Sequence, residues 1–215
     1  ASAGNTNDQI AVMINLATTY QSSGQHQRAE QLLQEAVDLA KSSGDRPALI
    51  LAKSKLGAAC TMTRQLNRAE SLLRESLEMA RADGNSPMTA AILNDLGNVL
   101  ALRQQYVEAL AAFQESVAEA RKGGNKLLAA QALCNAASTA ARAGMKLQAD
   151  TLNAEALEQI AQLGASHEKA FLFITAGETD RQIQHPQRAQ ESFRHALEVA
   201  GAIGDHRAAS YALGY

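Results

Sequence analysis

The five histidines and two cysteines are the residues of this chain whose side chains could bind a metal or act as nucleophiles. A metal site on a helix uses ligands at positions i and i+4, which share one helical face, but no two histidines have that spacing. A cysteine nucleophile needs a nearby base, and no histidine lies near Cys60 or Cys134 in the sequence. We therefore expect no metal site and no catalytic pair. The histidines are His26, His167, His185, His195 and His206.

Two other patterns that could support catalysis are also missing from the sequence. Carboxylate pairs such as Glu30 with Glu35 lie on segments predicted to be outer helices, and they indicate a solvent-exposed face. The glycines are mostly spaced at a fixed interval rather than clustered into a loop that could hold a phosphate. We therefore expect that the segment is not an enzyme and binds no cofactor.

The charge of the chain limits its partners. The formal net charge is −2 with both signs mixed along the sequence, whereas nucleic-acid binding normally requires a basic stripe. No apolar run approaches the roughly 20 residues that span a bilayer. We expect a protein or peptide partner, and neither nucleic acid nor membrane. The two cysteines fit a reducing compartment, which predicts a cytoplasmic location; a signal peptide removed before Ala1 is the open alternative.

An internal repeat of 40 residues organises the whole chain, and a fixed period of this kind decides the fold. A glycine column and an alanine column both recur at this step without a gap, and the glycine column holds 5 of only 14 glycines. The first column is Gly44, Gly84, Gly124, Gly164 and Gly204; the second is Ala29, Ala69, Ala109, Ala149 and Ala189.

Each repeat is predicted to form two helices. In the third repeat, apolar residues recur at helical spacing over about 88–103 and about 106–121, with a polar break at Gln104-Gln105. Glycine at the end of the second helix suits the left-handed residue that terminates helices. Asn153 occupies a position where other repeats have Leu or Phe. The fourth repeat therefore either packs loosely or gives Asn153 a hydrogen-bond partner.

The repeat resembles the tetratricopeptide repeat. The residues that carry this resemblance in the third repeat are Leu93, Leu96-Gly97, Leu100, Ala109, Phe113 and Ser116. In the first repeat they are Met13, Leu16-Ala17, Tyr20, Ala29, Leu33 and Ala36. The period is longer than the usual value of about 34, which keeps a HEAT-like array open, but the Leu-Gly pair and the alanine column favour the longer tetratricopeptide variant of kinesin-light-chain-like and Pins-like arrays. The resemblance implies an all-α fold, a right-handed α-solenoid of antiparallel helix pairs.

The predicted organisation is a frayed N-terminus over residues 1–7, five full repeats and the start of a sixth. The repeats span 8–47, 48–87, 88–127, 128–167 and 168–204, and the truncated sixth spans 205–215. Because the sequence stops within a repeat and lacks an initiator methionine, we expect it to be a fragment of a longer protein.

The resemblance also implies where a partner binds, since the first helices of such arrays line a concave groove. We expect the partner-binding residues to be Asn94, Asn98, Leu102, Gln131, Asn135, Arg142, Phe171, Glu178 and Arg181. Asparagine amides offer both a donor and an acceptor to a peptide backbone, although Asn98 and Asn135 could instead form hydrogen bonds between helices. A helix could dock on an apolar stripe of Leu102, Phe171 and Ile174.

Two functions of different classes follow. The first is a protein-interaction module that binds a peptide or helix in the concave groove as part of a larger protein. The alternative is the sensor or regulatory arm of a bacterial effector, because residues 208–215 resemble repeat arrays that precede CHAT-type protease domains or belong to ATPase-type transcriptional regulators. Self-association through the unfinished sixth repeat is a further possibility. The partner, the parent protein and the organism cannot be deduced from these residues.

Overall fold

The computed structural model describes residues 3–214, which form eleven α-helices joined by short turns. Their bounds are α1 Ala3–Ser22, α2 His26–Ser43, α3 Arg46–Met62, α4 Leu66–Ala82, α5 Ser86–Leu102, α6 Tyr106–Lys122, α7 Lys126–Arg142, α8 Lys146–Ala161, α9 His167–Gln182, α10 Pro186–Ile203 and α11 His206–Leu213. The helix pair predicted for the third repeat is therefore confirmed. None of these helices is both long and apolar enough to cross a membrane.

The predicted fraying of residues 1–7 needs correction, because α1 already begins at Ala3. Extending a helix costs little once its first turn has formed, and Ile10 and Ile14 anchor α1 in the core, with 1% and 5% of their surface exposed. Residues 1 and 2 lie outside the part of the chain that the structure describes.

The chain forms two compact units, Ala1–Arg103 with α1–α5 and Gln104–Tyr215 with α6–α11. Odd-numbered helices are the first helices of the repeats and even-numbered helices are the second. In the first unit α1 contacts α3 and α3 contacts α5; in the second, α7 contacts α9 and α9 contacts α11. Among the described residues of each unit, no second helix contacts another second helix. In each unit, the first helices therefore form an inner layer and the second helices an outer layer.

The junction between one repeat and the next is a glycine followed by a capping side chain. Glycines 44, 84, 124 and 204 have φ between 65° and 72°, which confirms the predicted left-handed conformation at these four positions. The next residue caps the following first helix, because its side chain accepts a hydrogen bond from the amide three residues on. These capping residues are Asp45, Asn85, Asn125 and Asp205.

The fourth junction departs from this rule, and the prediction for Gly164 is wrong. Its φ is not positive, because Ala165 stands at the capping position and has no side-chain acceptor. Ser166 caps α9 instead, accepting from the amide of Lys169 at 3.1 Å. The Lys169 ammonium in turn donates to the carbonyls of Leu163 at 2.6 Å and Ala161 at 3.3 Å. A side chain thus satisfies the end of α8 where the other repeats use a glycine.

A second left-handed column lies in the turn within each repeat. Its φ values run from 63° to 77°, and three of its five residues are not glycine. The column recurs at the 40-residue step and consists of Gly24, Arg64, Gln104, Gly144 and Gln184. The backbone of the turn therefore repeats even where the residue type does not.

The core is made of small residues on one helix facing large residues on the next. The alanine column from Ala29 to Ala189 is buried throughout, and a Cβ added to Gly57 would lie 2.7 Å from Cγ of Leu73. Asn153 is fully buried and its Nδ2 donates to the carbonyl of Ala176 at 3.0 Å. The fourth repeat therefore provides a hydrogen-bond partner for Asn153.

Candidate partner-binding site

Three predicted binding residues lie along α5 in the inner layer of the first unit. Asn94, Asn98 and Leu102 are spaced by four residues, which places them on one helical face, and all three are half-buried. Their side chains are therefore partly accessible to solvent along the length of the helix.

Asp95, beside Asn94, is the acidic group of this region whose ionisation differs most from the ordinary. Burial raises the pKa of the Asp95 carboxyl to about 6, while the charge of Lys55 and a hydrogen bond with Asn94 act in the opposite direction. Lys55 on α3 is exposed. Asp95 therefore changes charge just below neutral pH, on a helix that carries predicted binding residues.

The remaining predicted binding residues lie on α7 and α9 of the second unit. Gln131 and Asn135 are half-buried and one turn apart on α7, and Arg142 is exposed at its end. On α9, Phe171 and Glu178 are half-buried and also share a face. These five residues all keep accessible surface on the inner layer of the second unit.

Two expectations for α9 need correction or refinement. Ile174 is only 5% exposed, because it packs in the core, so it is not available for the apolar stripe predicted with Leu102 and Phe171. Arg181 is exposed, but it lines a separate cleft of about 770 Å³ together with Pro186, Phe193 and Leu213. Arg181 thus belongs to the α10–α11 side of the unit.

The structure adds an aromatic cluster around Phe171. The ring of Tyr211 on α11 meets the Phe171 ring edge to face at 5.6 Å, and the His167 ring lies 4.5 Å from it. The Arg207 guanidinium is 6.0 Å from both the Phe171 and the Tyr211 rings, within the range of a cation–π interaction. Tyr211 is 48% exposed. The position of Tyr211, 40 residues after Phe171, was the sequence signal for this pairing.

The cluster is tied to the start of α11 by an ion pair. His167 Nδ1 lies 2.5 Å from a carboxylate oxygen of Asp205. The backbone amide of Ala208, and after it the His167 side chain, lower the pKa of the Asp205 carboxyl. Asp205 thus caps α11 and at the same time holds α9 against it.

A second charged cluster joins α8, α9 and α10. Ligand atoms of Asp150, Asp180 and His185 all lie within 4.8 Å of one another, a spacing that a metal could use. The Arg188 guanidinium already occupies the centre: Nη1 is 2.7 Å from Asp150 Oδ1, and Nη2 contacts Asp180 Oδ1. We interpret the cluster as a structural ion-pair network. Its members are far apart in the sequence, which is why sequence reasoning missed it.

The two thiols are buried and unpaired. Cys60 and Cys134 are 0% and 1% exposed. Burial raises the pKa of both thiols, that of Cys134 to about 12. Because the thiolate is the nucleophilic form, neither cysteine has the chemistry of a catalytic residue.

Comparison with known proteins gives two family matches. Residues 8–82 and 89–122 each match a model described as a tetratricopeptide repeat. No curated protein sequence matches the chain significantly.

Several solved structures share the fold. BtubC (BKLC) from P. vanneervenii aligns with a TM-score of 0.73 at 19% identity, over 95% of this chain and 84% of that one. The STAND protein with a tetratricopeptide repeat sensor from Pyrococcus horikoshii gives 0.75 at 18% identity, over 96% of this chain and 32% of that one. A Rap protein complexed with competence and sporulation factor gives 0.72 at 14% identity, over 96% and 62%. At these identities the likeness concerns the fold.

Proposed function

The chain belongs to the tetratricopeptide-repeat family, and we propose from this premise that the inner layer of first helices binds a peptide or a helix of a partner protein. One observation carries the proposal: all nine predicted binding residues keep solvent-accessible surface on first helices, although α5, α7 and α9 are largely buried. Polar and aromatic side chains that stay accessible on an otherwise buried helix are available to a ligand.

The proposal gives each kind of residue a role. Asn98 and Asn135 contact the backbone of the ligand, since an amide can donate and accept at once. Phe171, supported by Tyr211, supplies an apolar anchor, and aromatic side chains often dominate binding energy. Arg207 places a positive charge beside this anchor. Binding, not catalysis, is the role assigned to these residues.

The test is capture of a partner from the native host's lysate, run with the wild type and with an Asn98→Ala/Asn135→Ala variant of equal melting temperature. We expect the variant to lose the partner that the wild type retains. A photo-crosslinker placed at Asn98 or Asn135 should label that partner, whereas the same crosslinker at the exposed outer-layer residues Glu78 and Glu158 should not. A partner held equally by both proteins, or labelled only from the outer layer, contradicts the proposal.

A second candidate function is a sensor arm that passes partner binding to an effector domain elsewhere in a longer protein. The observation that favours it is the likeness to the STAND protein, whose tetratricopeptide repeats are described as a sensor and of which this chain spans 32%. The sequence that follows Tyr215 in the native gene decides between them: a protease or ATPase domain supports the arm, and a polar capping helix supports the stand-alone module.

Self-association and location complete the proposal. On α11, Leu213 is 73% exposed, and we assign this helix a role in contacts between copies. Sedimentation equilibrium of the wild type and a Leu213→Glu variant tests this, since only the wild type should associate. We place the protein in the cytoplasm, which two unpaired cysteines favour; fractionation of the host cells tests that location.

A further inference from the structure

A cleft of about 500 Å³ opens on the outer side of the second unit, between α8 and α10, with α9 as its floor. Its apolar lining comes from Leu157, Ala161, Phe173 and Val199. Charged and polar residues stand around it: Lys169, Arg188, Glu191, Ser192, His195 and Glu198. None of these residues belongs to the binding site proposed on the inner layer.

The corresponding cleft one repeat earlier is nearly closed. Between α6 and α8 the cavity has a volume of only about 190 Å³. Arg121 and Glu155, which line it from opposite sides, form an ion pair at 2.6 Å across the opening. In the first unit, Glu75 occupies the same repeat position as Glu155 and pairs with Lys53 at 2.7 Å. An ion pair across this cleft is therefore a property of the repeat.

The α8–α10 cleft has lost both halves of that ion pair. Forty residues after Arg121 the chain has Ala161, and forty after Glu155 it has His195. The position of Lys53 is taken by Phe173, whose ring lies 5.3 Å from the His195 ring. The cleft is open because a long cation has become a methyl group, and its floor is aromatic.

A fixed hydrogen-bond donor also lines the cleft. Two nitrogens of the Arg188 guanidinium are held by Asp150 and Asp180, so its orientation is set. Its remaining nitrogen, Nε, is buried without an acceptor among the described residues. A buried donor left unpaired is costly, and a ligand oxygen at this point would satisfy it.

We propose that this cleft binds a tyrosine side chain of a partner protein, as a second contact separate from the inner layer. The aromatic ring packs on Phe173 and His195, and the phenol oxygen accepts from Arg188 Nε. Lys169 at the rim is balanced by Glu191 and Glu198, which favours an uncharged side chain. The volume falls within the range of about 300–1,000 Å³ that is usual for ligand pockets.

The chain itself supplies the variant that closes the cleft. Ala161→Arg with His195→Glu rebuilds the pair that Arg121 and Glu155 form one repeat earlier, so this variant should fold as the wild type does. The converse variant, Arg121→Ala with Glu155→His, opens the α6–α8 cleft but gives it Leu133 in place of an aromatic floor. Circular dichroism and thermal melting check that both are folded.

The probes are N-acetyl-L-tyrosinamide and N-acetyl-L-phenylalaninamide, titrated into ¹⁵N-labelled protein and followed by NMR chemical shifts. We expect the tyrosine probe to shift amides around Phe173, His195 and Val199, and the closing variant to weaken its binding roughly tenfold. The phenylalanine probe, which lacks the acceptor, should bind several-fold more weakly than the tyrosine probe because Arg188 stays unpaired.

Three results would overturn the proposal: no shifts in the wild type up to the solubility limit, equal binding by the closing variant, or equal binding of the two probes. The Asn98→Ala/Asn135→Ala variant should bind the tyrosine probe as the wild type does. A loss of partner capture by that variant with retained probe binding separates the inner-layer function from this second site.

Discussion

Gly177 on α9 lies against the aromatic ring of Phe193 on α10, so closely that a Cβ added to Gly177 would be 2.7 Å from Cε1 of that ring. Gly57 and Leu73 stand in the same relationship two to three repeats earlier, also at 2.7 Å. Since carbon atoms do not pack at this separation, the two helices of these repeats can approach each other only because the glycine has no side chain. The close approach of the pair thus depends on a single missing methyl group.

We predict that Gly177→Ala lowers the free energy of unfolding by about 1–3 kcal/mol, because the added methyl overpacks against the Phe193 ring. Gly201→Ala is the matched control: Gly201 lies within α10, and a Cβ there would have nothing within 4 Å, so alanine should stabilise it by up to about 1 kcal/mol. Chemical denaturation measures both. Equal effects of the two substitutions would remove the steric explanation.

The left-handed column within the repeats predicts opposite effects at two equivalent positions. Arg64 has a φ of 63°, a conformation that strains a residue with a Cβ, so Arg64→Gly should stabilise the protein by about 0.5–1 kcal/mol. Gly144, with a φ of 77° and open space around it, should lose about 1 kcal/mol on replacement by Arg. Melting curves of the two variants check the prediction, which fails if both move in the same direction.

Arg188→Leu should destabilise the second unit by about 3 kcal/mol, because it leaves the fully buried Asp180 carboxylate without its counter-charge. Replacing both residues, Asp180→Leu with Arg188→Leu, should recover most of the loss, since two apolar side chains leave no unpaired charge. A double-mutant cycle in urea gives the coupling. Simple additivity of the two losses would show that the pair does not act as a unit.

Asp95 predicts a pH dependence of stability. Its pKa is raised from 3.8 to about 6, so the folded protein binds this proton more tightly than the unfolded chain, and stability falls as pH rises from about 3.8 to 6. Asp95→Asn abolishes this loss. The variant should therefore exceed the wild type by up to about 3 kcal/mol above pH 6, with the gap shrinking towards pH 4. Urea unfolding at pH 7.5 and 4.0 measures it; a gap that is equal at both contradicts the prediction.

The two buried thiols should be silent in the native protein. Because burial raises the pKa of Cys134 to about 12 and also raises that of Cys60, a disulfide reagent at pH 8 should label neither until the chain unfolds. In urea both should react. A Cys60→Ala variant assigns the signals. Rapid labelling of the folded protein would indicate that one of the thiols is reached without unfolding.

The periodic part of the fold could be predicted because each repeat faces the same physical demands. Helix lengths, the turn at Gln104-Gln105 and the left-handed glycines follow from spacing and residue type. The failure at Gly164 has a visible cause in Ala165, which breaks the row of Asp and Asn caps. The second left-handed column escaped notice because Arg64 and Gln104 give no sign of a strained backbone.

The candidate site was less predictable, because it depends on which face of a helix is covered. Ile174 and Phe171 are one turn apart, yet one is buried and the other half-buried. The Arg188 network and the opened α8–α10 cleft arise from residues about 30 or more positions apart, so neither has a local pattern. Comparing equivalent residues between repeats reveals the cleft, since Ala161 and His195 differ in type from Arg121 and Glu155.

The alternation of Asp and Asn among the helix caps has a consequence for the chemical ageing of the protein. Asparagine side chains hydrolyse slowly to aspartate, and at most positions of a folded chain the new charge disturbs its surroundings. Here Asn85 and Asn125 would become the residue already found at 45 and 205, where it accepts the same amide hydrogen bond. Aspartate caps a helix as well as asparagine does, and its charge suits the N-terminal end of the helix dipole. Old molecules should therefore begin α5 and α7 at the same residues as freshly made ones.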